Sequence, residues 1–224
     1  MTATAMDRAV EAASLGHRTN TTPEERAGLE RVVCSDPDAR VRSAALGALV
    51  QIATGTRSGA RRQAGATWRI AARDPDATVR RRAAELAPAL GATVPVNALV
   101  ELLADDEPLV AEATAFALGE HPKAGAHAIA ALSRAASAHE DALVREAAVA
   151  ALGARGEPET LPVILHACDD KPAVRRRAVL ALAAFEGPDV EARLRVALTD
   201  RDWQVRQAAE DLLGTPETGE PESG

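Results

Sequence analysis

The 224-residue chain has very few aromatic residues and no tyrosine. Aromatic residues make up 2% of the sequence, as two Trp and two Phe, although 46% of the residues are hydrophobic. Alanine supplies most of the apolar surface, and it is the best helix former and the smallest apolar side chain. Runs of β-branched and aromatic residues, which strands favour, are missing. The composition therefore predicts closely packed helices and disfavours sheets.

Long apolar runs and cysteines are also scarce. No stretch reaches the roughly 20 apolar residues that a membrane-spanning helix needs. The N-terminal segment carries Asp7 and Glu11 and lacks the basic start and apolar run of a signal peptide. Cys34 and Cys168 lie far apart in sequence, and we expect both to be buried small apolar residues in a reducing compartment. These absences predict a cytoplasmic protein.

The formal net charge of −7 is unevenly distributed. Residues 1–90 hold 14 Arg and no Lys against 10 acidic residues, whereas residues 91–224 hold 12 basic and 23 acidic residues. We therefore expect the surface to be electrically polarised.

One short phrase recurs six times. It reads DPDARVRSAALGAL at positions 36–49, and similar phrases begin at positions 74, 105, 139, 169 and 200. The spacings between the central valines are 38, 31, 34, 30 and 31 residues, a period typical of two-helix solenoid repeats. The repeated valines are Val41, Val79, Val110, Val144, Val174 and Val205.

Each phrase predicts the second helix of a pair. An Asp or a nearby Pro opens it, as expected at a helix start. Apolar residues recur four, seven and eight positions after the valine, as Ala178, Ala181 and Leu182 do after Val174, which is the stripe of a helix with one buried face. Gly119, Gly153 and Gly214 follow nine positions after the valine, where a helix commonly stops. The first helices of the pairs are predicted at 22–35, 58–73, 93–104, 123–137, 157–168 and 188–198.

Three segments stand apart from the predicted array of residues 22–214. Residues 1–21 form an N-terminal segment with a short helix. Residues 54–60 are rich in Gly, Ser and Thr and are predicted to be a flexible loop. Residues 215–224 lack large apolar side chains and are predicted to be a disordered acidic tail.

The Asp-x5-Arg pattern followed by an Ala-rich helix resembles HEAT repeats. It looks most like the short bacterial HEAT-like repeats of the phycobilisome-lyase type, over roughly residues 22–214. The resemblance implies an all-α, right-handed α-solenoid of about six helix pairs, with the second helix of each pair on the concave wall. It also implies protein binding and a ladder of Asp and Arg side chains along the turns.

The ladder candidates lie six positions apart in four repeats. The third repeat keeps Asp105 but has Ala111 where Arg is expected, and the fourth keeps Arg145 but has His139 where Asp is expected. We infer that Asp105 and Arg145 pair across neighbouring repeats, since Arg–carboxylate pairs can be bidentate. The other candidates are Asp36 and Arg42, Asp74 and Arg80, Asp169 and Arg175, and Asp200 and Arg206.

No motif for catalysis is present in the sequence. There is no nucleophile elbow and no phosphate-binding loop, and Gly153–Gly156 is better explained as a helix end. The di-iron deoxyhypusine hydroxylases are similar HEAT-like enzymes, but their inner-helix His-Glu pairs are missing at the matching positions here. His166 and Cys168 are interpreted as core residues. We therefore expect no catalytic residue, no metal site and no cofactor.

A protein partner is the favoured ligand. Residues on the second helices that lie off the apolar stripe are predicted to face the concave wall, and Arg and aromatic residues often dominate interfaces. We expect a non-catalytic adaptor that holds an acidic helix or tail, with Trp203 capping the array. The candidate binding residues are Arg81, Arg82, Glu112, Phe116, Glu146, Arg176, Arg177, Leu180 and Gln207.

Two alternatives remain open. From Arg57 to Arg82 the chain holds eight arginines around Trp68, and Arg pairs with phosphate while Trp can stack on a base. This cluster would serve a nucleic-acid binder, although the acidic second half would repel a long duplex. The third hypothesis is an accessory subunit of a lyase-like enzyme.

Overall fold

The computed structural model describes residues 3–18, 20–55 and 58–214. These residues form thirteen α-helices and three short 3-10 helices, and no strand occurs among them. The α-helices are α1 (Ala5–Gly16), α2 (Pro23–Ser35), α3 (Ala39–Thr54), α4 (Ser58–Ala71), α5 (Ala77–Leu90), α6 (Val96–Leu102), α7 (Pro108–Glu120), α8 (Ala126–Ala138), α9 (Ala142–Arg155), α10 (Leu161–Ala167), α11 (Pro172–Ala181), α12 (Pro188–Ala197) and α13 (Trp203–Leu213). The predicted all-α class is confirmed.

The first helix of each pair is here called the outer helix and the second the inner helix. The six outer helices, α2, α4, α6, α8, α10 and α12, overlap the six predicted intervals. Two of them are shorter than predicted because 3-10 helices lie close before them, Gly91–Thr93 before α6 and Pro158–Thr160 before α10. A third 3-10 helix, Leu182–Ala184, follows α11.

The chain divides into two compact units, of which unit 1 runs to Ala131. In unit 1 the inner helices α3, α5 and α7 pack side by side, and the outer helices α2, α4 and α6 pack against them. Helix α1 packs on α3 like a further inner helix. A Cβ atom on Gly16 would lie 2.9 Å from the Cα of Ala48, so the two helices are in close contact there. The N-terminal segment therefore adds an inner helix before the predicted array.

Unit 2 begins at Leu132 and contains the inner helices α9, α11 and α13 with the outer helices α10 and α12. A Cβ atom on Gly153 would lie 2.5 Å from the Cβ of Ala181, so this glycine permits the close approach of α9 and α11. The prediction that Gly153 ends its helix is wrong, since α9 continues to Arg155. Gly156, with φ of +62°, is the residue that caps α9.

The other two glycines that were predicted to end a helix have different outcomes. Gly119 lies within α7, so it does not stop that helix as predicted. Gly214 follows the last residue of α13 and has φ of +72°, a value that favours glycine.

The repeated valines form the centre of the helical cores. All six are buried, as their position on the predicted apolar stripes requires. Trp68 of α4 is the largest fully buried side chain, and its indole N–H donates to the backbone oxygen of Ala83 on α5 at 2.6 Å. Alanine fills most of the remaining contacts, so the helices lie close together.

Several predicted burials are wrong. Cys34 is exposed on α2, whereas Cys168 is buried as predicted, and both are free thiols. His166 is exposed on α10 rather than packed in the core. Trp203 is 64% exposed at the start of α13, so it does not cover the end of unit 2.

Two of the sequence predictions concern segments at the edge of the described residues. The predicted loop at 54–60 is shorter than expected, since α3 ends at Thr54 and α4 begins at Ser58, with residues 56 and 57 outside the described part. The predicted tail at 215–224 also lies outside it. No described helix has the length and apolarity needed to cross a membrane.

Candidate binding surface and the arginine ladder

In unit 1, three arginines at the start of inner helices reach aspartates in the turn that precedes the next inner helix. Each arginine donates through Nε and Nη2 to both oxygens of one carboxylate, the bidentate geometry that Arg favours. The three pairs are Arg8–Asp36 at 2.8 and 3.0 Å, Arg42–Asp74 at 2.7 and 2.7 Å, and Arg80–Asp105 at 2.6 and 2.9 Å. We call these pairs, with their counterparts in unit 2, the arginine ladder.

Each ladder arginine also ties down its own turn. Arg80 Nη1 donates to the backbone oxygen of Asp74 at 2.9 Å, while Asp74 accepts the N–H of Asp76 at 2.9 Å. One guanidinium therefore joins two successive turns. Its hydrogen bonds are the main reason that the pKa of Asp105 lies below its ordinary value.

In unit 2, the ladder consists of Arg145–Asp170 at 2.6 and 2.7 Å and Arg175–Asp200 at 2.9 and 2.7 Å. The hydrogen bonds from these arginines are the main cause that lowers the pKa of Asp170 and of Asp200. All of these side chains are mostly buried and have lost hydrogen bonds to water. The guanidinium and the carboxylate of each pair replace those hydrogen bonds with hydrogen bonds to each other.

Two ladder predictions are wrong. Asp105 and Arg145 do not pair, because Asp105 already binds Arg80 and Arg145 binds Asp170. Asp169 is not the ladder aspartate of its repeat. It is 70% exposed and binds Arg193 of α12 at 2.6 Å, which leaves Asp170 to receive Arg145.

The two unmatched positions and the last arginine behave differently from the rest. Ala111 has no polar side chain, and His139 can accept only at the turn, where its Nδ1 receives the N–H of Asp141 at 3.1 Å. Arg206 donates to the backbone oxygen of Asp200 at 2.7 Å, but it has no carboxylate partner among the described residues.

The ladder residue Arg8 was not predicted from the sequence, although it lies 34 residues before Arg42, one repeat length away.

The inner helices of unit 1 carry exposed apolar and charged side chains side by side. Phe116 and Leu109 of α7 are 58% and 48% exposed, and they lie two helical turns apart on one face with Glu112 between them. Leu109 was not predicted, although its position seven residues before Phe116 is the signal for a shared face. We call Leu109, Glu112 and Phe116 the α7 anchor.

Arginines flank this surface on α5. Arg81 and Arg82 both bind Glu85 of the same helix, at 3.0 and 3.1 Å. The guanidinium of Arg82 also lies over Gly47 of α3, at 3.2 Å from the place that a Cβ would take. Glycine at this position therefore leaves room for Arg82 to lie flat on the neighbouring helix.

In unit 2, two arginines share a single acid on the inner helices. Arg176 and Arg177 of α11 approach Glu146 of α9 at 3.9 and 3.5 Å, and the Nε of each arginine is buried without a hydrogen bond. Leu180 of α11 is exposed beside a shallow cavity of about 400 Å³, which Ala150, Gly153, Ala154 and Arg177 also line. Gln207 of α13 donates to Asp211 of the same helix at 2.8 Å.

The Arg57–Arg82 cluster is divided between the two helical layers. Arg80 belongs to the ladder, Arg81 and Arg82 lie on an inner helix, and Arg57 lies outside the described residues. The predicted stacking role of Trp68 is wrong, because the indole is fully buried. The exposed remainder lies on or just after the outer helix α4 and consists of Arg61, Arg62, Arg69 and Arg73, of which Arg73 binds Glu101 at 3.0 Å.

The part of the chain that the structure describes contains no group of three His, Cys, Asp or Glu side chains placed to hold a metal ion. His121 is buried and its ring lies 3.0 Å from the backbone oxygen of Val94 and accepts the N–H of Lys123, which gives it a structural position.

A family model for HEAT repeats matches residues 96–173 and 169–223, and a second HEAT repeat model matches residues 29–55. The chain belongs to the HEAT-repeat family. The phycobilisome-lyase type within that family stays a hypothesis. No curated protein sequence matches this HEAT-repeat chain significantly.

Solved structures similar to this HEAT-repeat chain share its fold at low sequence identity. The Escherichia coli protein YibA is 20% identical with a TM-score of 0.72, over 95% of this chain and 77% of that one. The S. pombe condensin Cnd3–Cnd2 subcomplex is 16% identical with a TM-score of 0.68, over 92% and 32%. A designed armadillo repeat protein in complex with the peptide (KR)4 is 19% identical with a TM-score of 0.59, over 84% and 98%. The predicted α-solenoid fold is confirmed.

Proposed function

We propose that the protein is a non-catalytic scaffold that binds a protein partner through the exposed faces of its inner helices. The α7 anchor carries this proposal, because its two large apolar side chains, Leu109 and Phe116, stay exposed. The chain has only two Phe, and one of them is used here. Solenoid repeats often use such surfaces for binding, and aromatic and Arg side chains are enriched where binding energy concentrates.

The charges of unit 2 support an acidic helix or tail as the partner. Arg176 and Arg177 share one carboxylate, that of Glu146, at distances beyond those of a good hydrogen bond. An incoming carboxylate would find two guanidinium groups that their own helix does not satisfy. Leu180 and the adjoining cavity offer an apolar contact next to them. The similar designed armadillo protein binds a basic peptide, whereas the two guanidinium groups of Arg176 and Arg177 here favour an acidic one.

The experiment is a tagged pull-down from the native host, with and without nuclease, followed by quantification of each stoichiometric protein. We expect Phe116→Ala and Leu109→Ala to reduce recovery of the partner at least about fivefold, as loss of a central apolar contact of 1–2 kcal/mol implies. Ile70→Ala removes an equally exposed apolar side chain from the outer helix α4 and should leave recovery unchanged. Equal recovery by all three variants would contradict the proposal for α7.

The acidic partner is tested separately. Arg176→Glu should reduce binding of the same partner and weaken its salt dependence, because a charge that faces the carboxylate is reversed. Arg195→Glu makes the same change on the outer helix α12, where Arg195 binds Glu191 of its own helix. If both reversals have the same effect, the partner responds to net charge and the inner face of unit 2 is not its site.

A nucleic-acid partner is the second candidate, and α4 favours it. Its sequence holds Arg61, Arg62 and Arg69 and no acidic residue, and all three arginines are exposed. If this helix contacts phosphates, binding to a mixed-sequence duplex should fall steeply with salt, and Arg61→Glu with Arg62→Glu should abolish it. A third candidate, an accessory subunit of a lyase-like enzyme, rests on the resemblance to the phycobilisome-lyase type and would be favoured by co-purification of a pigment.

A further inference from the structure

The last inner helix, α13, exposes the side that every other ladder helix of its unit buries. Arg175 and Val179 of α11 and Leu182, directly after α11, lie one, five and eight positions after the repeated valine, and all three are buried. The same positions of α13 hold Arg206, Glu210 and Leu213. Trp203 lies one turn before Arg206 on the same line, at a position that is also exposed in α11, where it holds Pro172. We call Trp203, Arg206, Glu210 and Leu213 the α13 stripe.

Apolar groups of the α13 stripe are open to solvent. Trp203 is 64% exposed and Leu213 is 39% exposed, whereas Leu182, directly after α11, is fully buried. Glu210 stands where α11 has Val179. Glu210 makes the α13 stripe more polar than a core. Such a polarity is typical of non-obligate interfaces, whose partners also exist separately.

Arg206 is held in the ladder position without a ladder partner. Its Nη1 donates to the backbone oxygen of Asp200 at 2.7 Å, as the Nη1 of Arg175 donates to that of Asp170 at 2.9 Å. In Arg175 the remaining fork, Nε and Nη2, binds Asp200. The fork of Arg206 has no carboxylate among the described residues, although its guanidinium is already anchored. Anchoring lowers the entropy cost of binding a carboxylate there.

We propose that the α13 stripe is a docking site for another protein, which presents an aspartate in a helix-opening turn to Arg206 and apolar side chains to Trp203 and Leu213. The aspartate is inferred from charge complementarity with the open fork. The turn is inferred because all five ladder carboxylates lie in such turns and accept a backbone N–H there, as Asp200 accepts that of Asp202 at 2.8 Å. The α13 stripe shares no residue with the α7 anchor or with Arg176 and Arg177, so it is a further docking site beyond those on which the proposed function rests.

The described residues before α1 do not form the turn that Arg206 requires. The residues directly before α1 are Ala3 and Thr4, and neither has a carboxylate. The first carboxylate, Asp7, already accepts the N–H and hydroxyl of Thr4 at 3.0 and 2.7 Å in a capping box. The described segment before α1 is therefore not the occupant that we propose.

The test uses the full chain with ¹⁵N-labelled arginine and tryptophan and a synthetic peptide that copies residues 158–184. That peptide contains an outer helix, the turn with Asp169 and Asp170, and an inner helix. We expect saturable changes of the Arg206 Nε–H and Trp203 indole signals. A control peptide with both aspartates changed to Asn should bind at least about tenfold more weakly, which is the loss expected for a hydrogen bond to a charged group.

Variants of the full chain complete the test. Arg206→Gln should weaken peptide binding to the same extent, whereas Arg201→Gln removes an exposed arginine from the adjacent turn and should not. Phe116→Ala and Arg176→Glu should leave peptide binding unchanged, so failure of the proposed function and failure of this inference are distinguishable. The inference is overturned if the peptide causes no change at Arg206 at millimolar concentration, or if the Asn peptide binds equally well. It is also overturned if the chain self-associates in sedimentation and Arg206→Gln abolishes that association.

Discussion

Asp170 and Asp169 are adjacent carboxylates with different partners. Asp170 accepts both donors of the Arg145 fork at 2.6 and 2.7 Å and is mostly buried. Asp169 faces solvent and binds Arg193. Asp170 therefore joins two repeats, whereas Asp169 forms an ion pair at the surface.

We expect Asp170→Asn to lower the free energy of unfolding by about 2 kcal/mol, because it leaves Arg145 partly buried without its counter-charge. Asp169→Asn should cost less than about 1 kcal/mol, as for an exposed ion pair. Urea unfolding followed by circular dichroism measures both. Equal losses would show that either aspartate can serve Arg145.

Acid should weaken the ladder. Hydrogen bonds from arginine hold the pKa of Asp36, Asp105, Asp170 and Asp200 below its ordinary value. A folded-state pKa below the unfolded one of about 4 means that this stabilisation is complete above that pH and disappears as the pH falls through the folded values. The melting temperature should therefore decrease when the pH is lowered to values under about 4. Asp170→Asn should flatten that drop, and parallel curves for the two proteins would contradict a contribution from Asp170.

Gly153→Ala should destabilise the protein although alanine is the better helix former. The new Cβ would lie 2.5 Å from that of Ala181, so α9 and α11 would have to separate, at a cost of about 1–3 kcal/mol. Gly28→Ala is the matched control, since its nearest atom outside the local helix backbone is 3.9 Å away in a flexible arginine. That variant should gain up to about 1 kcal/mol. Thermal melts of the two variants should shift in opposite directions.

The two tryptophans should respond differently to a quencher. Trp68 is fully buried and hydrogen-bonded to Ala83, whereas most of Trp203 faces solvent. Trp203→Phe should therefore leave a blue-shifted emission that acrylamide hardly quenches. Trp68→Phe should leave a red-shifted, strongly quenched emission, if the variant retains its helical circular dichroism. Strong quenching of Trp68 in the folded protein would contradict its burial.

Helix positions could be predicted from sequence because the phrase repeats both its apolar spacing and its opening residues. Val41, Val79 and their counterparts identify the buried stripe, and the Asp or Pro before them identifies the helix start. The partners in the ladder could not be predicted in this way. Asp36 and Asp74 both recur at the repeat period, so spacing alone does not tell whether Arg42 binds its own turn or the next. The distance between packed helices decides it.

Three misplaced residues show where local sequence is a poor guide. Trp68 lies among exposed arginines, but it shares a helical stripe with Ala64 and Ala72, which are buried. Trp203 was expected to cap the array, but it occupies the position that Pro172 has in α11, which is also exposed. Leu109 was overlooked as part of a helix start, whereas the completed turn aligns it with Phe116.

The ladder has a further consequence for how such a chain can change in length. Every pair joins the arginine of one repeat to the aspartate of the next, so a repeat that holds both residues, such as that of Asp170 and Arg175, contributes one donor forward and one acceptor backward. Excision of residues 170–199 would bring Asp200 to the place of Asp170, opposite Arg145, and no buried charge would be orphaned. Duplication of the same segment would add one matched pair. The repeats of unit 2 are thus interchangeable modules, and their number can be altered by recombination without repair of the electrostatics at the joint.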